Sequence, residues 1–361
     1  MKVLIVNPIL YTNENRNIKK VNTIKDTMIY DLCLAFKKKG CDVTLAASDL
    51  YKPSENESYP FNIIWMKTRC TKLFPPHTLL YCPEVKKIAK SGNFDLIITS
   101  EVFSLNSLKL ALCTPKNLIV WQELGKHNRI FHGLASKFWY GIVAKIGFKK
   151  ALIVARSVQA REFISKYCKN VSDTIIDHGV NIEKFTPCRE KDNQFAISSQ
   201  LISRKHIEKS IEAFAKYLNK YDNTAKLYIM GEGEEEENLK ALSKKLGADK
   251  NIIFTGKLGH NKLIEILKKS IAMLVYTEKD NNMVSVVESI ALATPVITTD
   301  IPYNASYIKA EKLGIVNNNW NENDLRKLAT SDEYINNCMN YRKYLPTEYK
   351  AEQFLKVKGL I

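Results

Sequence analysis

Short apolar runs alternate with amphipathic helical patterns along the whole chain. In the first half, apolar runs predict strands at Val3–Val6, Val43–Ala46, Ile63–Met66, Asp95–Thr99, Leu118–Trp121, Ala151–Val154 and Thr174–Ile176. Helical spacing predicts helices at Thr23–Lys39 and Ser157–Tyr167. Strands that alternate with helices are typical of a doubly wound parallel sheet.

The second half repeats this pattern. Strands are predicted at Gln194–Ser198, Lys226–Met230, Ile252–Thr255, Ala272–Tyr276 and Val296–Thr299. Helices are predicted at Ile207–Leu218, Asn238–Leu246 and Asn261–Lys269, and a buried helix begins at Asn282. Two such sheets in series predict two Rossmann-like lobes with a ligand cleft between them, joined by a linker near 178–192.

Composition is that of a globular protein with more than one domain. The 361 residues are 45% apolar and 25% charged, and this length suits two domains of roughly 150 residues. No apolar run reaches the roughly 18 residues needed to cross a bilayer, and the N-terminal run is too short for a signal peptide. The eight cysteines lack metal-ligand spacing, so we expect reduced thiols and a cytoplasmic protein.

The positive charge is concentrated in the first half. Residues 1–172 hold 27 Lys and Arg against 12 Asp and Glu, whereas residues 173–361 hold 27 against 26. A basic surface of this size attracts nucleic acid, anionic lipid or an acidic acceptor. No nucleic-acid recognition motif is present and the basic residues are scattered, so we expect no nucleic-acid partner.

The segment 131–150 mixes aromatic residues with lysines at helical spacing. Leu134, Phe138, Ile142 and Ile146 fall on one predicted helical face. A core helix packed on the sheet is one interpretation. Contact with an anionic membrane surface is the other, since aromatic residues flanked by lysines suit the membrane interface.

The segment from Asp280 to Glu288 has the strongest chemical pattern. Two carboxylates eight positions apart bracket the start of a helix whose other inward residues are apolar. A helix N-terminus offers unpaired N–H groups and a positive dipole end, which suit a diphosphate. Glu is rarely buried without a partner, so Glu288 is a candidate ligand-binding residue.

This segment resembles the signature of retaining glycosyltransferases of GT-B architecture, glycosyltransferase family 4, in which an acid, seven residues and a Glu bind a nucleotide-sugar. Here Asp280 is the first acid, and Ala293 replaces a later glycine. The linker phrase 176–187 and the stretch 199–214 resemble other family motifs. Within that stretch Lys205 matches the family lysine, Gln200 replaces the family arginine, and Arg204 is offset from it.

The resemblance implies a GT-B fold, an α/β architecture of two Rossmann-like parallel-sheet lobes facing across a cleft. Residues 1–180 and a crossing helix at about 343–361 would form the acceptor-side lobe, and 181–342 the nucleotide-sugar lobe. The implied enzyme is a retaining, metal-independent hexosyltransferase without a cofactor. It moves a sugar from UDP- or GDP-hexose, with UDP favoured, to a glycan or polyprenyl-linked acceptor in bacterial surface polysaccharide or glycoconjugate synthesis. The expected location is cytoplasmic and peripheral on the inner face of the cell membrane.

Residue roles follow from the same resemblance. Glu288 would hold the ribose hydroxyls, Asp280 the sugar hydroxyls and Lys205 the diphosphate, and the leaving phosphate would take the acceptor proton. Further donor-binding candidates are Gln200, Gly231, Gly233, Gly256, Lys257, Leu258, Asn282, Met283, Val284 and Ser285.

The first lobe supplies acceptor-side candidates. Glu123 follows the strand that ends at Trp121, and the family often places an acid or His there, with His127 second. An ordinary surface loop remains the alternative for this segment. Lys19 and Lys20 are candidates for contact with an anionic acceptor.

Three other classes of protein are the alternatives, and a nucleic-acid-binding protein is already disfavoured by the scattered basic residues. A nicotinamide-dependent dehydrogenase needs a glycine-rich turn after the first strand, and residues 7–17 contain no glycine. A metal-bridged diphosphate is not favoured, because no Asp-x-Asp ends a strand in the first half and the Glu234–Glu237 run suits a solvated first helical turn. The third alternative, an inactive relative that binds a sugar nucleotide or a partner subunit, stays open because Gln200 and Asp280 depart from the family pattern.

Overall fold

The computed structural model describes residues 1–11, 18, 21–72, 80–128, 133–278, 280 and 282–361. The chain divides into two compact units. Unit 1 comprises Met1–Gly179 and Thr347–Ile361, and unit 2 comprises Val180–Pro346. The sequence placed the corresponding boundaries at 180 and 343.

Unit 1 is built on a six-stranded parallel sheet in the order β3-β2-β1-β4-β5-β6. Its strands are β1 Lys2–Val6, β2 Asp42–Ser48, β3 Asn62–Met66, β4 Leu96–Ser100, β5 Leu118–Gln122 and β6 Leu152–Ala155. Its first six helical segments are α1 Met28–Lys38, α2 Val85–Ser91, α3 Leu105–Cys113, α4 Leu134–Phe138, α5 Lys145–Gly147 and α6 Val158–Ser165, with a π-helical segment Trp139–Ala144 between α4 and α5. The chain order reverses between β1 and β4, which are neighbours in the sheet.

Two predictions in unit 1 need correction. The first helix begins at Met28, not Thr23, because the Thr27 side chain accepts the Tyr30 N–H and caps the helix there. The predicted strand Thr174–Ile176 is wrong. The Ile176 N–H reaches the Ala155 carbonyl, but the Ile176 carbonyl accepts the Trp121 indole N–H at 2.6 Å, so no strand ladder forms.

Unit 2 repeats the topology with the order β12-β11-β10-β7-β8-β9. Its strands are β7 Gln194–Ser198, β8 Lys226–Met230, β9 Ile252–Gly256, β10 Ala272–Leu274, β11 Val296–Thr298 and β12 Gly314–Val316. Its helices are α7 Ile207–Lys220, α8 Glu236–Lys245, α9 His260–Lys269, α10 Val284–Ala291, α11 Asn304–Ala310, α12 Glu322–Ala329 and α13 Glu333–Tyr341. The chain order reverses between β7 and β10, so the carboxyl ends of these two strands define the expected ligand position.

Each sheet is covered by an apolar core on both faces. The last helix, α14 Thr347–Val357, belongs to unit 1 and packs on α1. Lys38 pairs with Glu348 at 2.9 Å and Lys39 pairs with Glu352 at 2.7 Å, while Phe354 is fully buried. The second unit therefore lies within the sequence of the first, whose last helix closes its own core.

Candidate functional site

The carboxyl ends of β7 and β10 bring together three charged residues of unit 2, Arg204, Lys205 and Asp280. After β7 the chain forms a tight helical turn, Ser203–Lys205, which ends at His206 in the left-handed region, at φ 41°. After β10 the chain continues through Thr277 to Asp280. The turn and the loop are adjacent because their strands pair in parallel.

Asp280 forms ion pairs with two cations. Lys205 Nζ lies 2.7 Å from Asp280 Oδ2, and Arg204 Nη1 lies 3.0 Å from Oδ1. The Thr277 hydroxyl also donates to Oδ2. Burial acts to raise the pKa of Asp280, but the hydrogen bonds from Lys205, Thr277 and Arg204 outweigh it and leave the pKa below its usual value. Asp280 is therefore a fixed anion that orients both cations.

Arg204 is the residue that the sequence analysis set aside. It lies four positions after Gln200, which occupies the family's arginine position, and this offset argued against a role there. The helical turn curls the backbone so that both side chains reach the same carboxylate. Gln200, at the family's arginine position, lies exposed after β7. The second cation of this site therefore comes from Arg204.

Close packing of the backbone explains the two glycines after β8, Gly231 and Gly233. A Cβ on Gly231 would lie 1.8 Å from the Ser199 carbonyl oxygen, and one on Gly233 would lie 2.2 Å from that of Leu201. The Leu201 N–H bonds to the Glu232 carbonyl at 3.0 Å. Both glycines therefore let the segment that carries Gln200 lie against the end of β8.

The start of α10 is anchored by a residue that sequence analysis missed. Buried Asn304 accepts the Met283 N–H at 2.7 Å and donates to Asn282 Oδ1 at 2.8 Å. The Met283 N–H, one of the predicted anion-binding groups, is thus engaged by Asn304. The N–H groups of Val284 and Ser285 open the helix, where no intrahelical acceptor exists for them.

Glu288 lies on the second turn of α10, with a side chain 15% exposed. His260, the first residue of α9, places Nε2 3.0 Å from Glu288 Oε1. Glu288 is thus partnered by His260, whereas Asp280 is partnered by the two cations. The sequence offered no reason to connect His260 with this carboxylate.

The remaining donor-binding candidates follow β9. Gly256 adopts φ 64°, Lys257 is exposed, and Leu258 is half-buried against the core of unit 2. The Gly231 N–H bonds to the Gly256 carbonyl at 3.0 Å, which connects this turn to the end of β8.

Unit 1 has a polar cluster at the carboxyl ends of β4, β5 and β6. Arg156, 8% exposed, pairs with Glu123 at 2.9 Å and stacks on Trp121 at 3.7 Å from the ring centre. Arg156 also approaches buried His178, with 3.5 Å between Nη1 and Nε2. Burial and the charges of Arg156 and Lys350 hold the pKa of His178 well below its usual value.

Glu101 completes this cluster. It follows β4 at φ 66°, a left-handed conformation that is uncommon for a residue with a side chain. Its carboxylate accepts the Glu123 N–H at 2.7 Å and the Leu124 N–H at 3.4 Å. Burial raises the pKa of Glu101 to about 7, and Arg156 lowers it only in part. Sequence analysis missed Glu101 and Arg156, although each lies two residues beyond the end of a predicted strand.

His127 is engaged within unit 1. Its Nδ1 lies 3.0 Å from the Ser136 hydroxyl and its Nε2 lies 3.1 Å from the Tyr167 hydroxyl. Burial, followed by the charge of Lys137, lowers its pKa. Both ring nitrogens therefore already have partners. Lys19 and Lys20 lie outside the described residues.

Within the part of the chain that the structure describes, no group of three or more His, Cys, Asp or Glu side chains is placed to hold a metal ion. In the same described ranges, no helix has the length and apolarity to cross a membrane.

Comparison with known proteins gives the class. The family model described as glycosyl transferases group 1 matches residues 181–341, nearly the whole of unit 2. WaaG, a glycosyltransferase involved in lipopolysaccharide biosynthesis, has a similar fold over 99% of this chain and 100% of its own, with a TM-score of 0.61 and 14% identity. Anabaena HepE, solved with UDP and glucose, aligns over 100% of both chains with a TM-score of 0.64 and 10% identity. The molecule is therefore a GT-B protein, as predicted.

A curated relative is the alpha-monoglucosyldiacylglycerol synthase of Streptococcus pneumoniae (strain ATCC BAA-255 / R6), 24% identical over 266 residues. That match covers 66% of this chain and 59% of the relative. Residues 181–341 thus match the glycosyl transferases group 1 family, and the chain as a whole has the fold of glycosyltransferases of known structure.

Proposed function

We propose that this protein transfers a hexosyl group from a nucleotide-diphosphate donor to a glycan or lipid-linked acceptor, with retention at the sugar carbon. The observation that carries the proposal is the convergence of Lys205 and Arg204 on Asp280 beside the start of α10. Two fixed cations at a helix N-terminus suit a diphosphate. The relatives support the ligand classes, since HepE was solved with UDP-glucose and the pneumococcal relative is named for a glycolipid.

The proposed step breaks the bond between the sugar C1 and the diphosphate oxygen, whose electron pair leaves with the diphosphate. The acceptor oxygen bonds to C1 on the same face, and its proton passes to a phosphate oxygen of the leaving group. Negative charge therefore develops on the diphosphate, where Lys205 and Arg204 stabilise it more strongly in the transition state than in the bound donor.

The other candidates have proposed roles in the same step. In our proposal Glu288 holds the ribose hydroxyls, Asp280 contacts the sugar hydroxyls while orienting the cations, and the N–H groups of Val284 and Ser285 add to the anion site. Glu123 is the acceptor-side candidate. The two side-chain cations make a metal-independent reaction without a cofactor the simplest scheme.

We further propose that the protein works in bacterial surface polysaccharide or glycoconjugate synthesis, in the cytoplasm at the inner face of the cell membrane. A lipid-linked acceptor requires the enzyme to meet a membrane. The excess of 27 basic over 12 acidic residues in the first 172 positions favours an anionic surface.

An inactive relative is the second candidate, and exposed, neutral Gln200 is the observation that favours it. Loss of the family's arginine weakens the stabilisation of the leaving group unless another cation replaces it. Arg204, 3.0 Å from Asp280, favours the active protein.

The test is a donor screen that measures release of UDP or GDP from a panel of nucleotide-sugars with polyprenyl-linked acceptors, with and without EDTA. We expect turnover with a UDP-hexose that EDTA leaves unchanged, and a loss of about tenfold or more in kcat/KM for Glu288→Ala, since two ribose hydrogen bonds to a charged group are lost. Nucleotide binding without turnover by the wild type would establish the inactive relative instead. Unchanged turnover of Glu288→Ala would refute the ribose assignment.

A further inference from the structure

A continuous helical stretch in unit 1, residues 134–147, carries an exposed apolar row. The exposed fractions are 68% for Leu134, 61% for Phe138, 50% for Ile142 and 72% for Ile146. Single exposed apolar residues are ordinary on protein surfaces. Four large ones at a constant spacing of four residues form a contiguous patch, and such patches mark interaction sites.

The core does not need this row, because a second row on the same stretch is buried. Ser136, Tyr140, Ala144 and Phe148 are all fully buried, again at a spacing of four. The core-helix interpretation of the sequence is therefore correct for one face and does not explain the other. The stretch is apolar on two faces, and only one of them is fully buried within the described part of unit 1.

The π-helical segment Trp139–Ala144 helps to keep the exposed row on one side. In an α-helix, steps of four residues overshoot a full turn by roughly 40° each, so a row of four drifts around the axis. A π-helical segment bonds residue i to i+5 and has more residues per turn, which reverses this drift. The irregular helix thus aligns Leu134 with Ile146 better than a regular one.

Lysines border the exposed row. Lys137, Lys145, Lys149 and Lys150 are exposed on this stretch or just beyond it. From residue 124 to 161 the chain contains eight Lys and Arg and no Asp or Glu. An apolar stripe with lysines along its edge, in a segment without Asp or Glu, fits an anionic lipid surface.

We infer that the 134–147 helix is a membrane-docking surface. It lies in the plane of an anionic bilayer, inserts its exposed apolar row among the acyl chains and places its lysines at the lipid headgroups. A second copy of this chain is a poorer occupant, because a symmetric pair would bring the lysine borders of both helices together.

The direct test is sedimentation of the full chain with vesicles, without donor or acceptor. We expect binding to vesicles of phosphatidylglycerol and phosphatidylcholine that weakens with salt, and much weaker binding to phosphatidylcholine alone. Phe138→Asp and Ile146→Asp should each reduce the partition coefficient about tenfold or more, since each removes a buried apolar side chain from the bilayer. Ile361→Asp, at a residue of similar exposure (62%) in the same unit, is the matched control and should bind like the wild type.

Charge is tested separately. Lys137→Gln with Lys145→Gln should weaken binding to anionic vesicles about fivefold for each lysine. The same double change at exposed Lys244 and Lys245, on α8 of unit 2, should have little effect. Equal losses in the two double variants would show a net-charge effect and overturn the docking surface.

An insertion probe decides between the membrane and a second copy of the chain. Phe138→Trp should shift its fluorescence to the blue and be quenched by brominated lipid, whereas Ile361→Trp should not. The inference is overturned if Phe138→Asp binds anionic vesicles like the wild type. It is equally overturned if sedimentation velocity shows a dimer that Phe138→Asp dissociates.

The inference deepens the proposed membrane location but does not rest on sugar transfer, because vesicle binding is measured without a donor. An inactive relative would still bind vesicles. Conversely, a transferase that turns over a soluble acceptor and ignores vesicles would overturn the docking surface alone.

Discussion

The two sheets share one strand order, yet their carboxyl edges have opposite chemistry. In unit 2 the Asp280 carboxylate is held charged by Lys205 and Arg204, and its pKa is lowered. In unit 1 two carboxylates, Glu101 and Glu123, share Arg156, and burial raises the pKa of Glu101 to about 7. At one edge a carboxylate has two cationic partners, and the other edge holds a carboxyl that titrates near neutral pH.

This difference teaches that topology fixes where a ligand site lies and side chains fix which ligand it takes. Two neighbouring cations held by one carboxylate suit a departing diphosphate. A site with a half-ionised carboxyl and a buried arginine suits hydroxyl groups, which both donate and accept hydrogen bonds. The two edges thus match the donor and the acceptor sides of the proposed reaction.

Removing a cation from the unit 2 edge should have the largest effect. We expect Lys205→Ala to lower kcat by about 10²–10³ with a smaller change in the donor KM, because the lost interaction strengthens as charge develops on the leaving group. Steady-state kinetics with the preferred nucleotide-sugar measure both constants.

The matched control is Lys209→Ala, one turn further along α7, where the side chain is exposed and pairs only weakly with Glu212 at 3.4 Å. It should retain the wild-type rate. If Lys205→Ala raises KM and leaves kcat intact, the lysine binds the donor but does not stabilise the leaving group. The unit 2 edge would then have no catalytic role that distinguishes it from the unit 1 edge.

At the unit 1 edge, we expect Glu101 to make the free energy of unfolding depend on pH. The pKa of Glu101 in the folded protein, about 7, exceeds its value of roughly 4.3 in an unfolded chain, so the folded state binds the extra proton. Its contribution to stability is complete below about pH 4 and is lost as pH rises to about 7. Glu101→Gln removes this dependence.

The comparison of wild type with Glu101→Gln, by thermal unfolding at pH 5 and pH 8, cancels the other titrating groups. After allowance for solvent screening, we expect the free energy of unfolding to fall by about 2 kcal/mol more in the wild type than in the variant between pH 5 and pH 8. This extra loss of stability corresponds to a fall of roughly 4–8 °C in Tm for a unit of this size. A parallel fall in both proteins would mean that Glu101 is already ionised at pH 5.

Much of the fold was predictable because buried parallel strands are short apolar runs. β1, β7 and β8 lie within one residue of their predictions. The error at Thr174–Ile176 shows where that rule fails, since an apolar residue can be buried while its carbonyl bonds to a side chain, here the indole of Trp121. Burial and strand pairing are separate properties, and the sequence pattern reports only burial.

The site was less predictable, because its geometry depends on turns. The reach of Arg204 depends on a three-residue helical turn and on His206 at φ 41°. The position of Glu101 depends on φ 66° after β4. Neither conformation is favoured by the residue that adopts it, so no local pattern predicts them. Asp280 and Lys205 were each found through a family motif. Such a motif marks the residues of a site even when the local sequence does not predict their geometry.

The smallest expected effect is the most specific test of how the unit 2 edge departs from the glycosyltransferase motif that it resembles. Arg204→Ala should lower kcat about tenfold, less than Lys205→Ala, because the Arg204 side chain is 32% exposed and water screens its charge. If Arg204 has replaced the family's arginine, adding Gln200→Arg to Arg204→Ala should restore much of the loss, since a cation then returns to the end of β7 from the other side. Gln200→Arg in the wild type should change the rate little, as Arg204 already supplies that charge. Steady-state kcat for the three variants forms a double-mutant cycle. Additive effects would mean that positions 200 and 204 act independently, and Arg204 would then be a surface partner of Asp280 and not the second cation of the site.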